Sequence, residues 1–395
     1  MLDVKKSHAF MMTRNGVRLD ADIYTPMTKG EFPVLLMRQP YGRAIASTVV
    51  YAHPRWYAAQ GYIVVIQDVR GRGTSEGEFE LFANEIEDGF DTVQWASQLP
   101  QSNGKVGMYG FSYQGMTQLY AAISHPPALK TICPSMIGYD LYTDWAYENG
   151  AFCLQGNLSW AIQIAAETAR LKGDETAYCQ LYAASRNLPL YDSIPALPNI
   201  LKEFAPNSFY HDWLNNPHPN SYWENLSPKS RMQDVDLPML HIGGWFDPYL
   251  RGTLNLYHEM SDRSSFPQHL IIGVWQHIPW GRKVGAVDYG VNAATPVDEF
   301  QLRWFDYFLK DIDTEILDNP PVYAFEMGSN QWHYFNTFPN SHSVPKSKNL
   351  ESHQKEISRL VFENNQTVYF LLSSGLASLR EDSGELIQAS EIQEP

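Results

Sequence analysis

Short apolar runs that do not alternate with polar residues limit the possible folds of this chain more than any other feature of its sequence. Such a run, bounded by polar segments, is typical of a strand that is buried on both faces. Helix-length intervals separate the runs, and in one of them Ile86, Phe90 and Val93 lie close to one helical face. Strands that alternate with helices form a parallel sheet, so the sequence predicts an α/β fold. The runs are Pro33 to Met37, Tyr62 to Gln67, Val106 to Tyr109 and Lys130 to Cys133.

The strand pattern stops near residue 139 and resumes near residue 236, where Pro238 to Gly243 and His269 to Val274 form two more apolar runs. The interval between holds helical segments at Trp160 to Leu171 and Glu175 to Arg186. An insertion between parallel strands usually lies over their carboxyl ends, where ligands bind. We therefore predict a core of residues 1–138 and 236–319, a helical cap of residues 139–235 and a C-terminal domain of residues 320–395.

A G-x-S-x-G motif centred on Ser112 follows one of the buried runs directly. The pattern alone is weak, because a chain of this size contains one by chance in roughly one case in ten. Its position between the strand Val106 to Tyr109 and a helix from Tyr113 to Ser124 is typical of a nucleophile elbow, where a tight turn leaves no room for neighbouring side chains. Ser112 is therefore the candidate nucleophile.

A serine hydroxyl needs a base and an orienting carboxylate before it can attack a carbonyl group. Asp247 and His277 each follow one of the last two buried strands, so both lie at the same edge of the sheet as Ser112. The order Ser112, Asp247, His277 is that of α/β-hydrolases. We predict that these three residues form a catalytic triad.

Two groups are candidates for the oxyanion hole that such a triad requires. One is the backbone N–H of Tyr113, the residue after the nucleophile. The loop after the strand Pro33 to Met37 lacks a Gly-rich motif, but it offers the phenol of Tyr41. The residues alone do not distinguish two roles for Tyr41: a hydrogen-bond donor or a wall of the site.

Five ordered motifs support a more specific interpretation: Arg38 to Tyr41, Asp68 to Gly77, Gly110 to Gly115, Gly244 to Asp247 and Trp275 to His277. Together they resemble the CocE/NonD hydrolases, the cocaine-esterase and X-Pro dipeptidyl-peptidase-like group also called the S15 peptidase family. The resemblance runs from about Gly16 to Trp332. It implies an α/β-hydrolase domain, a helical cap and a C-terminal β jelly-roll, with Ser112, Asp247 and His277 as the triad. It also implies that the Tyr41 hydroxyl shares the oxyanion with the Tyr113 amide.

The chain departs from this family in two places. Members that act on α-amino acyl substrates are expected to carry further carboxylates beside the catalytic acid, whereas Pro248, Tyr249 and Leu250 follow Asp247 here. Asp140, Asp144 and Glu148 in the cap remain alternative sources of negative charge. A jelly-roll has about eight strands, and the residues after Pro321 offer two or three. We therefore expect an incomplete jelly-roll, a truncated domain, and poor order or solubility in residues 351–395.

Charge and composition narrow the possible partners. The chain has 29 basic and 44 acidic residues, a net charge of −15 that disfavours nucleic acid as a ligand. No apolar run reaches the length of about 18 residues needed to cross a bilayer, so we expect no membrane partner. Three cysteines and an N-terminus without a signal-like apolar segment favour a cytoplasmic location. We expect no metal, because His211 and His218 have no companions at useful ligand spacing. We expect no cofactor, because the third glycine of Gly71, Gly73 and Gly77 comes one position too late for a dinucleotide-binding G-x-G-x-x-G motif.

The predicted function is hydrolysis of a small-molecule ester, or of a small amide, through an acyl-enzyme. Alternatives are an X-Pro dipeptidyl-peptidase and a catalytically inactive homologue that acts as a binding protein. The oligomeric state is left open. Arg70 and Arg72 are expected to brace loops through hydrogen bonds. Aromatic residues of the cap and core are predicted to line an apolar acyl pocket: Trp145, Trp160, Trp213, Trp223, Trp245 and Phe246.

Overall fold

A computed structural model describes residues 1–45, 48–192, 194 and 196–339, together with the backbone of four strands between residues 357 and 388. The chain forms two compact units, one of residues 1–340 and one of residues 341–395. Within the described residues, no helix is both long and apolar enough to cross a membrane.

The first part of the chain supplies six strands of the main sheet and three helices. The strands are β1 (Val4–Met12), β2 (Arg18–Pro26), β3 (Phe32–Gln39), β4 (Ile63–Asp68), β5 (Ser102–Phe111) and β6 (Leu129–Ser135). The helices are α1 (Pro54–Ala59), α2 (Glu85–Ser97) and α3 (Tyr113–Ile123).

The middle of the chain is mainly helical, as the sequence predicts. A π-helical turn at Tyr142–Ala146 leads into a short hairpin of β7 (Tyr147–Glu148) and β8 (Ala151–Phe152). The helices that follow are α4 (Leu154–Leu171), α5 (Glu175–Arg186), α6 (Asn199–Phe204), α7 (Phe209–Asn215) and α8 (Ser221–Leu226), with a 3-10 turn at Pro228–Arg231. Apolar side chains of these helices form a cluster of their own, which includes Leu158, Ile162, Leu181 and Tyr210.

The last part of this unit returns to the sheet. Its elements are β9 (Met239–Phe246), α9 (Leu250–Arg263), β10 (Gln268–Gln276), the hairpin of β11 (Lys283–Val284) and β12 (Val287–Asp288), a 3-10 turn at Val291–Ala293, α10 (Val297–Lys310), β13 (Val322–Glu326) and β14 (Gln331–Phe335).

The main sheet has the strand order β1-β2-β4-β3-β5-β6-β9-β10-β13-β14. In this order the neighbours from β4 to β13 pair in parallel. At the two ends of the sheet, the pairs β1–β2, β2–β4 and β13–β14 are antiparallel. This mainly parallel sheet with a helical insertion confirms the predicted α/β fold. Because β5, β9 and β10 point the same way, the residues that follow them meet at one edge.

Burial on both faces of the sheet explains the apolar runs. Val34 and Leu36 of β3 pack in a cluster with residues of α2 and α3, while Leu35 and Met37 pack in a second cluster with residues of α1 and α10. Successive side chains of a strand point to opposite faces, so a strand covered on both faces needs apolar residues at every position.

The boundary between the two units differs from the predicted boundary at residue 320. Val322–Glu326 pairs in parallel with β10, and Gln331–Phe335 pairs with Val322–Glu326, so both extend the hydrolase sheet. The C-terminal unit begins after residue 340 instead. Short strand-like runs do not reveal which sheet they join, which is why the sequence alone placed them in another domain.

The C-terminal unit contains four consecutive antiparallel strands in the order β15-β16-β17-β18. They are β15 (Ile357–Asn364), β16 (Thr367–Leu372), β17 (Gly375–Arg380) and β18 (Leu386–Gln388). The incomplete jelly-roll and the poor order or solubility expected for residues 351–395 stay predictions, and the segments that connect and flank these four strands lie outside the described residues.

Candidate active site

Ser112 lies between the end of β5 and the start of α3 in a strained conformation, with φ of 60° and ψ of −127°. A positive φ on a residue other than glycine costs about 1–3 kcal/mol and persists only where the surroundings enforce it. The Ser112 N–H donates to the carbonyl oxygen of Ser135 in β6 at 3.0 Å, which ties the turn to the neighbouring strand. The predicted strand-turn-helix around Ser112 is therefore present.

Two glycines of the motif are required by close packing. A Cβ atom at Gly110 would lie 2.5 Å from the Cβ of Gln114, and Gly110 itself has a φ of 140°. A Cβ atom at Gly115 would lie 2.3 Å from Cγ2 of Ile137 and 2.8 Å from the carbonyl oxygen of Ser135. The G-x-S-x-G spacing thus follows from the space available around the turn.

Asp247 and His277 form a hydrogen-bonded pair at the ends of adjacent parallel strands. Nδ1 of His277 lies 2.8 Å from Oδ1 of Asp247. A carboxylate acceptor fixes the proton on Nδ1 and leaves Nε2 free to act as a base. The Asp247 side chain is fully buried; this burial raises its pKa, and the hydrogen bond from His277 opposes the rise.

The His277 ring lies close to the elbow. Its centre is 5.3 Å from that of Phe111, the residue before Ser112, and 5.0 Å from that of Tyr249. The side chain of His277 keeps a quarter of its surface exposed. The structure therefore brings the three predicted triad residues to the same edge of the sheet, with the imidazole accessible from outside.

Tyr41 lies in the loop after β3, with its hydroxyl beside the elbow. Nε1–H of Trp160 in α4 donates to the Tyr41 oxygen at 3.2 Å, and the same hydroxyl hydrogen-bonds to the Ser112 side chain. Burial raises the pKa of Tyr41, opposed by these two hydrogen bonds, so the phenol stays protonated at neutral pH. Next to it, Arg43 anchors the loop through the carboxylates of Asp68 at 2.5 Å and Asp22 at 2.9 Å.

Only the backbone of Tyr113 can serve the site. As the first residue of α3, Tyr113 has an N–H without an intrahelical acceptor. Its phenol instead donates to Oε1 of Glu85 at 2.8 Å in the interior. Glu85 is also ion-paired with the fully buried Arg38. Arg38, the first residue of the Arg38 to Tyr41 motif, therefore holds Glu85 in place beside Tyr113 at the start of α3.

A sequence profile described as X-Pro dipeptidyl-peptidase (S15 family) matches residues 15–279 of this chain, which include the elbow, Asp247 and His277. The chain belongs to the S15 family. It is 30% identical over 344 residues to the cocaine esterase of Rhodococcus sp. (strain MB1 Bresler), covering 82% of this chain and 58% of that protein. The resemblance to CocE/NonD hydrolases is thereby confirmed.

Solved structures of similar proteins share the fold. An aminopeptidase from a marine sediment archaeon, Thaumarchaeota archaeon, matches with a TM-score of 0.68 and 24% identity, over 86% of this chain and 60% of that one. A CocE/NonD family hydrolase from Staphylococcus aureus matches with a TM-score of 0.64 and 21% identity, over 91% and 61% of the two chains. The S15 chain spans about three-fifths of the length of these relatives.

Four of the six predicted pocket residues of this S15 chain share one aromatic cluster next to Tyr41 and His277. The Trp145 ring lies 5.2 Å from Trp160 and 4.6 Å from Tyr249. Trp213 is fully buried behind them, 6.3 Å from both Trp145 and Trp160, and Trp223 lies a further 5.7 Å from Trp213. Tyr249 was not predicted as a pocket residue, although its position two residues after Asp247 could have indicated it.

Trp245 and Phe246 do not join this cluster. Nε1–H of Trp245 donates to the carbonyl oxygen of Phe325 in β13 at 2.7 Å, so the indole packs toward the far end of the sheet. Phe246 is 42% exposed, and its ring lies 6.2 Å from that of Tyr289. Proximity to Asp247 in sequence placed both residues in the predicted pocket, whereas their side chains face other elements.

Each of the three acidic residues considered in the cap lies near a basic side chain, and Asp140 lies 3.6 Å from Nζ of Lys229. Arg251 Nη2 lies 3.6 Å from Oε1 of Glu148, and its Nε lies 3.8 Å from Oδ1 of the buried Asp144. Asp144 also accepts hydrogen bonds from the Asp140 N–H at 2.8 Å and from Asn255 at 3.0 Å. Within the described residues, no cluster of His, Cys, Asp and Glu side chains is arranged to hold a metal ion.

Proposed function

We propose that this chain is a serine esterase that transfers the acyl group of a small ester to water. The observation that carries the proposal is the combination of a strained Ser112 on the elbow with a His277–Asp247 pair at 2.8 Å on the same edge of the sheet. Membership of a hydrolase family supports it.

In the proposed mechanism, Nε2 of His277 takes the proton from Ser112 as the serine oxygen attacks the ester carbonyl. Asp247 holds the Nδ1 proton and stabilises the imidazolium that forms. The negative charge that develops on the carbonyl oxygen is stabilised by the Tyr41 hydroxyl and the Tyr113 N–H. His277 then protonates the leaving alkoxide, and the same histidine activates the water that hydrolyses the acyl-enzyme.

Charge around the site favours an uncharged acyl group over an α-amino acyl group. Arg251 offsets one of the two negative charges of Asp144 and Glu148, and Lys229 lies 3.6 Å from Asp140. Tyr249 and Leu250 stand where further acids were expected. An ammonium group would therefore find little net negative charge. Trp145, Trp160 and Tyr249 offer aromatic surface instead, which suits an aromatic or apolar acyl group. The similarity to a protein named cocaine esterase is in line with an ester substrate.

The second candidate function is that of an X-Pro dipeptidyl-peptidase, which is favoured by the name of the matching family profile. Comparing p-nitrophenyl esters with an X-Pro anilide separates the two functions. We expect kcat/KM for an aromatic p-nitrophenyl ester to exceed that for the anilide by a large factor, and the reverse ratio would reject the esterase.

A fluorophosphonate probe tests whether the site is catalytic. It should label the wild-type chain and fail to label Ser112→Ala, because the probe reacts with an activated serine. Equal labelling of both proteins would show that the probe reacts at a residue other than Ser112 and would reject the proposed mechanism. The absence of labelling in both would favour an inactive binding protein.

A further inference from the structure

Arg72 is a fully buried arginine in the loop that follows β4. Its guanidinium carbon lies 3.8 Å from the centre of the Phe79 ring, and Nη1–H donates to the carbonyl oxygen of Ile164 in α4 at 3.3 Å. Nε and Nη2 are also buried, and neither has an acceptor within the part of the chain that the structure describes. Buried arginines are normally paired with an acid, so the unpaired charge of Arg72 calls for an explanation.

Arg72 interacts electrostatically with three ionisable neighbours, namely Tyr41, Tyr113 and Glu167. Glu167 is already bound by Arg170 through both carboxylate oxygens, at 2.7 and 2.8 Å. The Tyr113 phenol donates to Glu85 in the interior. Tyr41 is the neighbour whose hydroxyl reaches Ser112.

One turn of α4 contacts both Arg72 and Tyr41. Trp160 donates its indole N–H to the Tyr41 oxygen at 3.2 Å, and Ile164, four residues later, accepts the hydrogen bond from Arg72. Because an indole can only donate, Trp160 occupies a lone pair of the phenol oxygen. The single O–H of Tyr41 is thereby left to donate to the substrate oxygen.

We propose that Arg72 is a positioning residue of the oxyanion hole, whose unpaired positive charge strengthens the stabilisation of the oxyanion by the Tyr41 hydroxyl. The turn from Trp160 to Ile164 holds the two residues in place. This inference rests on the esterase function proposed above.

The physical basis is a fixed charge in a site that excludes water. Burial lowers the pKa of Arg72 to about 10, so the guanidinium remains charged at neutral pH. A charge in a medium of low dielectric constant acts more strongly than in water, and it needs no reorganisation when the oxyanion forms. Hydrogen bonds in a chain also polarise one another, so the Trp160 bond and the Arg72 charge both make Tyr41 a stronger donor.

The test compares kcat and KM for one p-nitrophenyl ester in Arg72→Met, Arg72→Lys, Tyr41→Phe and the double variant Arg72→Met/Tyr41→Phe. Arg72→Met should lower kcat by about 10- to 100-fold and change KM by less than about threefold, because the charge acts on the transition state. Arg72→Lys keeps the charge and should recover most of the loss. In the Tyr41→Phe background, Arg72→Met should lower kcat by less than about threefold, since the donor is already missing.

Other roles of Arg72 give different results. A brace that only holds cap and core together predicts the same loss of kcat in both backgrounds, and that result would overturn the proposal. A rise in KM confined to esters whose acyl group carries a carboxylate would also overturn it, in favour of substrate binding. If Arg72→Met does not fold, Arg72→Gln replaces it in the cycle.

Binding of phenylboronic acid, which forms a tetrahedral adduct with a serine hydroxyl, gives an independent readout. Its affinity should fall in Arg72→Met in parallel with kcat, and an unchanged affinity would contradict the proposal. Ser112→Ala distinguishes this failure from failure of the proposed function. If Ser112→Ala still hydrolyses the ester, the esterase mechanism itself is wrong, whatever the Arg72 variants do.

Discussion

Replacing Gly115 by alanine tests whether packing around the elbow controls the nucleophile. The new Cβ would lie 2.3 Å from Cγ2 of Ile137, about 1.1 Å inside the 3.4 Å at which ordinary contacts begin, and 2.8 Å from the Ser135 carbonyl oxygen. The second neighbour is backbone of β6, which cannot rotate away as a side chain can. The start of α3 must therefore move, and the Ser112 turn and the Tyr113 N–H move with it.

The expected cost combines overpacking and helix propensity. Overpacking of a core costs about 1–3 kcal/mol, while the alanine regains up to about 1 kcal/mol of helix propensity. We therefore expect Gly115→Ala to lose about 1–2 kcal/mol of stability, or a few degrees in Tm. Displacing catalytic groups by about 1 Å should also lower kcat about 100-fold.

Gly156→Ala is the matched control. Gly156 is the third residue of α4, as Gly115 is the third residue of α3, and a Cβ there would meet no atom within 4 Å. The same substitution should raise Tm slightly and leave kcat unchanged. Thermal unfolding and ester hydrolysis of both variants give the comparison. If Gly115→Ala keeps both the wild-type Tm and the wild-type kcat, the elbow is not constrained by packing in the way described.

Three further predictions concern single residues. Asp247→Asn should lower kcat by about 10⁴-fold with little change in Tm, because an amide no longer holds His277 in the required tautomer. Steady-state kinetics on the folded variant check this prediction. A loss of kcat below about tenfold would contradict the assignment of Asp247. Trp160→Phe keeps the aromatic wall but removes the hydrogen bond to Tyr41, so kcat should fall about tenfold with KM nearly constant, whereas a change in KM alone would show that Trp160 serves only as a wall. Burial lowers the pKa of His241 to about 4, so the unfolded chain, whose histidine titrates near 6.5, binds the extra proton between these values. The free energy of unfolding should therefore decrease by about 3 kcal/mol as the pH drops from about 6.5 to 4, and urea unfolding of His241→Gln should lack this part of the pH dependence.

The sequence predicted those features that depend on local pattern and chain order. Two-sided burial of β3 to β6 requires continuous apolar runs, so these strands were recognisable without knowledge of their neighbours. The predicted triad residues follow three parallel strands, and parallel strands bring their carboxyl ends to one edge of a sheet. Ser112, Asp247 and His277 therefore met at that edge as a consequence of topology.

Features that depend on a partner far away in sequence were not predictable in the same way. Trp245 was placed in the pocket because it is close to Asp247 in sequence, but its indole donates to Phe325 of β13, a strand that was expected in another domain. Because the predicted boundary put Phe325 in another domain, nothing in the sequence indicated the hydrogen bond that orients Trp245. The sequence of a five-residue strand does not indicate whether the strand adds to an existing sheet or begins a new one.

The role of Tyr41, as a hydrogen-bond donor or as a wall of the site, also depends on a partner far away in sequence. Its loop sequence permits both roles, and the hydrogen bond that favours the donor comes from Trp160, which lies 119 residues further along the chain in the cap. The cap was predicted from its helical pattern as a cover over the substrate site. Its helix α4 in addition supplies the Trp160 donor to Tyr41 and the Ile164 acceptor to Arg72. In the proposed mechanism the cap is therefore part of the support of the oxyanion hole, so changes that displace the turn from Trp160 to Ile164 are expected to alter kcat as well as substrate choice.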